Sequence, residues 1–155
     1  MFLNKEVETD THIHGFFGKY RFLSNFHLCP VFVWNDGLTY PSSENAYMAQ
    51  KTSSKLVKEI FAMNCVTPKH ARNLGQQIIV EDDWDVLRVG IMYFCVKLKF
   101  LQNPDISELL LATGDKILEE TNGWNDTFWG VCNGVGENNL GKILMSVREE
   151  IIKGI

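Results

Sequence analysis

The 155-residue sequence lacks a long uninterrupted apolar run, a paired-cysteine motif and a surplus of basic residues. A membrane-spanning helix needs about 20 mostly apolar residues in a row, and no segment supplies them. The amino-terminal stretch MFLNKEVETD has no apolar core of the kind a secretory signal carries, so a soluble, cytoplasmic protein with no membrane partner is expected. Cys29, Cys65, Cys95 and Cys132 stand apart among apolar neighbours. Reduced, mostly buried thiols are therefore expected, not a disulfide framework or a zinc site. A net charge of −4 argues against a protein that grips a long phosphate backbone, but leaves room for a local pocket for one or two phosphates. Repeats, low-complexity tracts and linkers are also missing, which fits residues 1–14 as a polar lead-in and 15–155 as one domain. His12 and His14, in the lead-in, read as loop residues and not as metal ligands.

Hydrophobic residues make up 45% of the chain, enough to build a core. Ten Phe, four Trp and four Tyr serve either that core or the walls of a pocket for flat rings. VFVWNDGLTY reads as a β-hairpin turning at Asn35-Asp36-Gly37. Helices follow. One is expected over 43–51, capped by Ser42 or Ser43, and a second over 55–63. A third opens at Thr67-Pro68 and stops at Gly75. The longest helical segment is 81–103, with Trp84, Leu87, Ile91, Cys95 and Leu98 as a core stripe. A shorter helix runs from Asn103-Pro104 through 111. DKILEET reads as a strand, 124–141 as a glycine- and asparagine-rich loop, and 141–153 as an amphipathic helix ending at Gly154. The fold class is α+β, mainly helical, with a small hairpin or sheet.

Glu44, Tyr47, Met48 and Lys51 are spaced i, i+3, i+4 and i+7 and share one helix face. Two readings stay open for this face. Glu44 suits the helix dipole and Lys51 suits a snorkelling side chain, or the two project a carboxylate and an amine into one cleft. The loop NDTFWGVCNGVGENNLG is costly to order unless it does something. Its glycines allow close backbone approach and its N–H groups can form an anion nest at a helix start. A glycine-rich turn with Asn138 or Asn139 as N-cap fits equally. Trp84 fits core, whereas Trp129 beside Asp126 in a polar loop suits stacking on a flat ring.

FLSNF (22–26), YPSSENAYMAQK (40–51), TPKHARNLG (67–75), DDW (82–84), KF (99–100), LLLATGDKILEET (109–121), NDTFWG (125–130) and GENNLGKILMSVRE (136–149) occur in this order. In these segments the chain resembles the NADAR superfamily, the YbiA-like proteins, over roughly residues 15–150. The resemblance implies a mainly helical α+β fold, no metal and no cofactor. It implies hydrolysis of an N-glycosidic bond on a ribose phosphate or ADP-ribose conjugate. The substrate is then a phosphorylated ribosylamine of riboflavin synthesis, or a guanine base in nucleic acid that carries ADP-ribose. Carried over by motif, the catalytic residues are Glu44 and Lys51 of S-x-E-x-x-x-x-x-x-K and Asp126 of N-D-x-x-W-G. Substrate contacts fall on Asn25, Phe26, Tyr47, Arg72, Trp84, Trp129, Gly130, Gly136 and Asn138. The chain departs where relatives often carry basic residues, having Glu137 and Asn139 there. Either the substrate differs, or backbone N–H groups and Arg72 or Arg21 take over a phosphate.

Two routes follow. Glu44 or Asp126 stabilises charge on the ribose and activates water. Alternatively, Lys51 forms a Schiff base while Glu44 moves the proton, provided that burial or Arg72 counters the rise in lysine pKa caused by Glu44. A module that senses NAD or ADP-ribose without cleaving it is the competing reading.

Overall fold

Chain order and packing follow from the computed structural model, which describes residues 3–155. The elements are β1 (Val7–Glu8), β2 (His12–His14), a 3-10 helix (Gly18–Leu23), β3 (Val31–Val33), β4 (Leu38–Tyr40), α1 (Ser43–Ala49), α2 (Lys55–Phe61), α3 (Pro68–Gly75), α4 (Trp84–Gln102), α5 (Pro104–Ala112), β5 (Ile117–Glu119), β6 (Thr121–Asn122), β7 (Val131–Cys132) and α6 (Asn139–Lys153). This is a mainly helical α+β chain. Among the described residues no helix is long and apolar enough to cross a membrane. Two compact units are resolved: residues up to Ser24 together with Asp105–Ile155, and Asn25–Pro104.

In the first unit, β1 pairs antiparallel with β2, and β2 pairs parallel with β5. Ile13 lies opposite Leu118, and both are fully buried. The lead-in is therefore sheet, and His12 and His14 are strand residues whose rings stack 5.1 Å apart. His14 Nδ1 lies 2.8 Å from Glu119 Oε2. Glu8 takes Lys19 at 2.6 Å and Lys116 at 2.7 Å, which ties β1 to both neighbours. α6 packs on β5 through a periodic apolar face that includes Leu140, Ile143, Leu144 and Val147. The helix begins at Asn139, two residues before the expected start, and the glycine-rich segment contains β7, which pairs parallel with β6.

In the second unit, the hairpin forms as the sequence indicates. Val31, Val33 and Tyr40 point inward, while Phe32 and Thr39 face out. Asp36 is not a solvated turn residue. Its carboxylate accepts from Tyr40 Oη at 2.6 Å, Gln50 Nε2 at 2.9 Å and Lys58 Nζ at 2.7 Å, which joins the hairpin to the end of α1 and to α2. All seven residues of α1 are buried. Asn45 is central: its amide donates to the carbonyls of Phe61 (2.9 Å) and Val66 (2.8 Å), closing the far end of α2 onto α1. Ser42, Ser54 and Thr67 cap α1, α2 and α3 through side-chain oxygens.

α4 corrects the expected core stripe. Cys95 and Leu98 are buried, and burial pushes the Cys95 thiol up to about 12. Trp84 and Ile91 are only half-buried and Leu87 is exposed. The amino-terminal half of α4 borders a cleft instead of core. Cys132 is buried as expected, but Cys29 is half-buried and Cys65 exposed, and none of the four cysteines is in a disulfide.

Candidate active site

α1 ends at Ala49 with Gln50 as its C-cap, so Lys51 lies one step past the helix, its N–H still bonded to the Met48 carbonyl at 3.2 Å. The rise of an α-helix separates the Glu44 and Lys51 backbones by roughly 10 Å. Glu44 is 6% exposed, at the buried end of the face. Its N–H donates to the Asn25 carbonyl at 3.2 Å. Asn25 is itself fixed, accepting from Ser43 Oγ at 2.9 Å and donating to Met92 Sδ at 3.2 Å. Asn25 therefore braces the start of α1 beneath Glu44.

Lys51 occupies the open end. Its Nζ donates to the Gly75 carbonyl at 3.1 Å and lies 5.8 Å from the centre of the Trp84 ring. Trp84 also packs against Tyr47, with ring centres 5.5 Å apart. A Cβ at Gly75 would displace the Met48 side chain, so α3 lies close against α1 at this point. A cleft of about 380 Å³ opens beside this group, lined by Lys51, Trp84, Gln50, Lys58, Leu87 and Ile91 among others. That volume lies in the range of small-molecule sites. Glu44 and Tyr47 stand behind its wall and do not line it.

Burial lowers the pKa of Lys51, Glu44 opposes that effect, and Arg88 reinforces it. The arginine that counters Glu44 is thus Arg88 of α4, not Arg72. Tyr47 is shifted upward, chiefly by burial and then by Glu44, so it stays a neutral phenol. Arg72 is half-buried on α3, and among the described residues it makes no ion pair. Arg21 is exposed on the 3-10 helix. Phe26 is half-buried directly after Asn25. Arg88 is absent from the sequence-derived site because it belongs to no motif quoted there. Its signal is its spacing, four residues after Trp84 and four before Met92.

In the first unit the glycine- and asparagine-rich loop has a different character from an anion nest. The N–H groups of Glu137, Asn138, Asn139 and Leu140 donate to the carbonyls of Thr127, Gly130, Phe128 and Trp129. The backbone donors expected to cradle a phosphate are thereby satisfied inside the loop. Asn138 adopts a left-handed conformation at φ 53° and bridges to β5, donating to the Leu118 carbonyl and accepting from the Glu120 N–H. Gly136 has φ 154°, and a Cβ there would strike the Gly130 carbonyl; a Cβ on Gly130 would strike the Glu120 carbonyl. Gly130, Gly136 and Asn138 are thus held in close packing within the loop. Asp126 is likewise a turn builder: its Oδ1 accepts from the N–H groups of Phe128 (3.2 Å) and Trp129 (2.9 Å). Trp129 is half-buried and meets Phe128 edge-on at 4.8 Å. Among the described residues no group of three or more His, Cys, Asp or Glu side chains is placed to hold a metal ion.

The chain was compared with known proteins. It is 40% identical over 135 residues to a riboflavin biosynthesis protein of Vibrio vulnificus, a match covering 86% of this chain and 36% of that protein. This chain thus corresponds to about a third of the Vibrio protein. It is 44% identical over 115 residues to an N-glycosidase of Nostoc punctiforme, covering 70% of this chain and 72% of that one. It is 34% identical over 137 residues to the N-glycosidase YbiA of Escherichia coli, covering 85% and 82%. The NMR structure of the E. coli protein YbiA superimposes with a TM-score of 0.82 at 31% identity, covering 96% of this chain and 89% of the other. The NADAR domain family model matches residues 12–152, through both units, and the chain belongs to that family.

Proposed function

We propose that this chain is an N-glycosidase that releases a nitrogen base from a ribose phosphate, with Lys51 as nucleophile and Glu44 as the group that moves the proton. The observation that carries the reading is the state of Lys51. Its amine lies against the Trp84 ring at a cleft large enough for a nucleoside-sized ligand, with a pKa lowered by burial. Only an unprotonated amine has a lone pair for attack, so this environment suits a nucleophile better than a surface cation. Membership of a family with relatives named N-glycosidases supports the reaction class.

In this reading the Lys51 lone pair attacks C1 of the ribosyl group. The C1–N bond breaks, its electrons go to the departing nitrogen, and that nitrogen takes up the proton that the Lys51 nitrogen gives up on attack, with Glu44 acting on Lys51 and not on the ligand because it does not line the cleft. The closed-ring glycosylamine on Lys51 then opens: the Lys51 nitrogen lone pair forms the C=N bond, the C1–O4 bond breaks, and O4 takes a proton, leaving the open-chain sugar as an imine on Lys51. Water then adds at the imine carbon, and the lysine leaves as the free amine. The Trp84 ring, packed on Tyr47, forms an apolar wall that limits water at the reacting carbon. Asn25 and Tyr47 act indirectly, bracing α1 and Trp84, and Arg72 is proposed as a cation for the substrate phosphate.

The name of the Vibrio relative makes a phosphorylated ribosylaminopyrimidine the first substrate to test, with guanine-ADP-ribosylated oligonucleotide in parallel. Borohydride added during turnover is expected to trap a substrate-derived adduct on Lys51, located by peptide mass mapping and absent from Lys51→Met. Turnover without an adduct would replace the imine by direct attack of water assisted by Glu44. Absence of turnover on both substrates, with tight ADP-ribose binding, would move the reading to a sensor.

A further inference from the structure

Trp84, Arg88 and Met92 recur every four residues along α4, so their side chains share one face. The contacts on either side of Arg88 define what that face meets. Trp84 touches Tyr47 of α1 and the Lys51 amine that follows it. Met92 accepts from Asn25, whose carbonyl holds the Glu44 N–H. Arg88 lies between these contacts, on the stretch of α4 that packs on α1, with its side chain 31% exposed. Its ion pair with Asp85 is long at 3.7 Å, and Asp85 is 84% exposed, so that pair is weak. A guanidinium keeps its charge at every pH at which the protein is folded.

We infer that Arg88 is a positioning residue for Lys51: a fixed positive charge on the α4 face against α1 that offsets Glu44 and keeps the Lys51 amine available for attack. This deepens the proposed function and rests on the reading of Lys51 as nucleophile. The groups around Lys51 are consistent with it. α1 presents Glu44 and Tyr47, α2 presents Lys58 already paired with Asp36, and α3 presents the Gly75 carbonyl. Glu81 and Asp83 line the cleft just before α4 and act in the same sense as Glu44. Burial and Arg88 are what oppose Glu44. Removing that opposition would raise the Lys51 pKa.

The test is a titration of the Lys51 side chain by NMR with 13C-labelled lysine, the resonance assigned with Lys51→Arg. Wild type, Arg88→Gln, Arg88→Lys and Glu44→Gln/Arg88→Gln are compared. Arg88→Gln is expected to raise the Lys51 midpoint by about one pH unit, and Arg88→Lys to leave it near wild type. The double variant should return the midpoint towards wild type. Borohydride adduct formed at pH 7 should fall roughly tenfold in Arg88→Gln and recover in Arg88→Lys. An identical Lys51 midpoint in wild type and Arg88→Gln would overturn the inference. A raised midpoint in Arg88→Lys as well would also overturn it, because shape and not charge would then be at work. A wild type that turns over without an adduct removes the imine reading, while the titration still decides the effect of Arg88 on Lys51.

Discussion

An asparagine at position 126 keeps the oxygen that accepts the Phe128 and Trp129 N–H groups and loses only the charge. Asp126→Asn is therefore expected to hold kcat/KM within about tenfold of wild type, whereas Asp126→Ala should cost about 1–2 kcal/mol of stability, as loss of a cap does. A thousandfold loss in Asp126→Asn with an unchanged thermal melt would return Asp126 to the role of catalytic acid. Glu44 should behave in the opposite way. Its glutamine variant keeps the shape of a buried side chain and removes the proposed proton carrier. The expected result is a fall in kcat of roughly 10²–10⁴ with ligand affinity retained, read by steady-state kinetics and calorimetry.

At the scale of elements, α1 is the part on which the site depends, and Asn45 is its anchor. The fully buried Asn45 amide serves two carbonyls, Phe61 at the end of α2 and Val66 in the following turn. Asn45→Ala leaves both without that donor in the interior. Each buried group left unsatisfied costs about 1–3 kcal/mol, so a loss of about 2–4 kcal/mol is expected. The urea midpoint should fall at unchanged slope. A loss below about 0.5 kcal/mol would mean that water reaches these carbonyls and that the α1–α2 closure is looser than described. The Lys51 amine sits where this closure matters, because Lys51 lies in the short connection between α1 and α2.

For the whole molecule, acid should be the destabilising direction. Burial alone would raise the pKa of Asp36, but hydrogen bonds from Lys58, Tyr40 and Gln50 outweigh it and hold the carboxyl below its usual value. Glu8 is held at about 2, first by its bond to Lys116 and then by that to Lys19. A carboxylate with a lowered folded pKa adds stability that is present above its unfolded value. That stability is lost as pH falls through the folded value. Urea midpoints should therefore be flat from about pH 7 to 5 and drop below about pH 4. Asp36→Asn should be less stable at pH 7, where a buried lysine loses its partner, yet lose less on acidification than wild type. Equal acid sensitivity in the two proteins would remove Asp36 from this account.

Local chemistry written in the sequence was legible. The hairpin followed from alternating side chains around Asn-Asp-Gly, and the capped starts of α1, α2 and α3 followed from serine and threonine oxygens three residues ahead of the N–H they accept. The helical face of Glu44, Tyr47 and Met48 also followed from spacing, because all three lie within one regular helix. Distant pairings were not legible. Residues 7–14 have no strong strand pattern of their own and become sheet only because Ile117–Glu119, more than a hundred positions away, offers an edge. The stripe on α4 reads as core throughout, since periodicity shows which residues share a face but not what that face meets. In the same way, composition suggested an anion nest in the glycine- and asparagine-rich loop, whereas the carbonyls of 127–130 already accept from the N–H groups of 137–140. The sequence by itself determined the elements and the residue types available for chemistry. Tertiary structure alone decided that Lys51 is half-buried on Trp84, that Arg88 opposes Glu44, and that Asp126 builds a turn, because burial, charge pairing and hydrogen-bond satisfaction depend on neighbours remote in the chain.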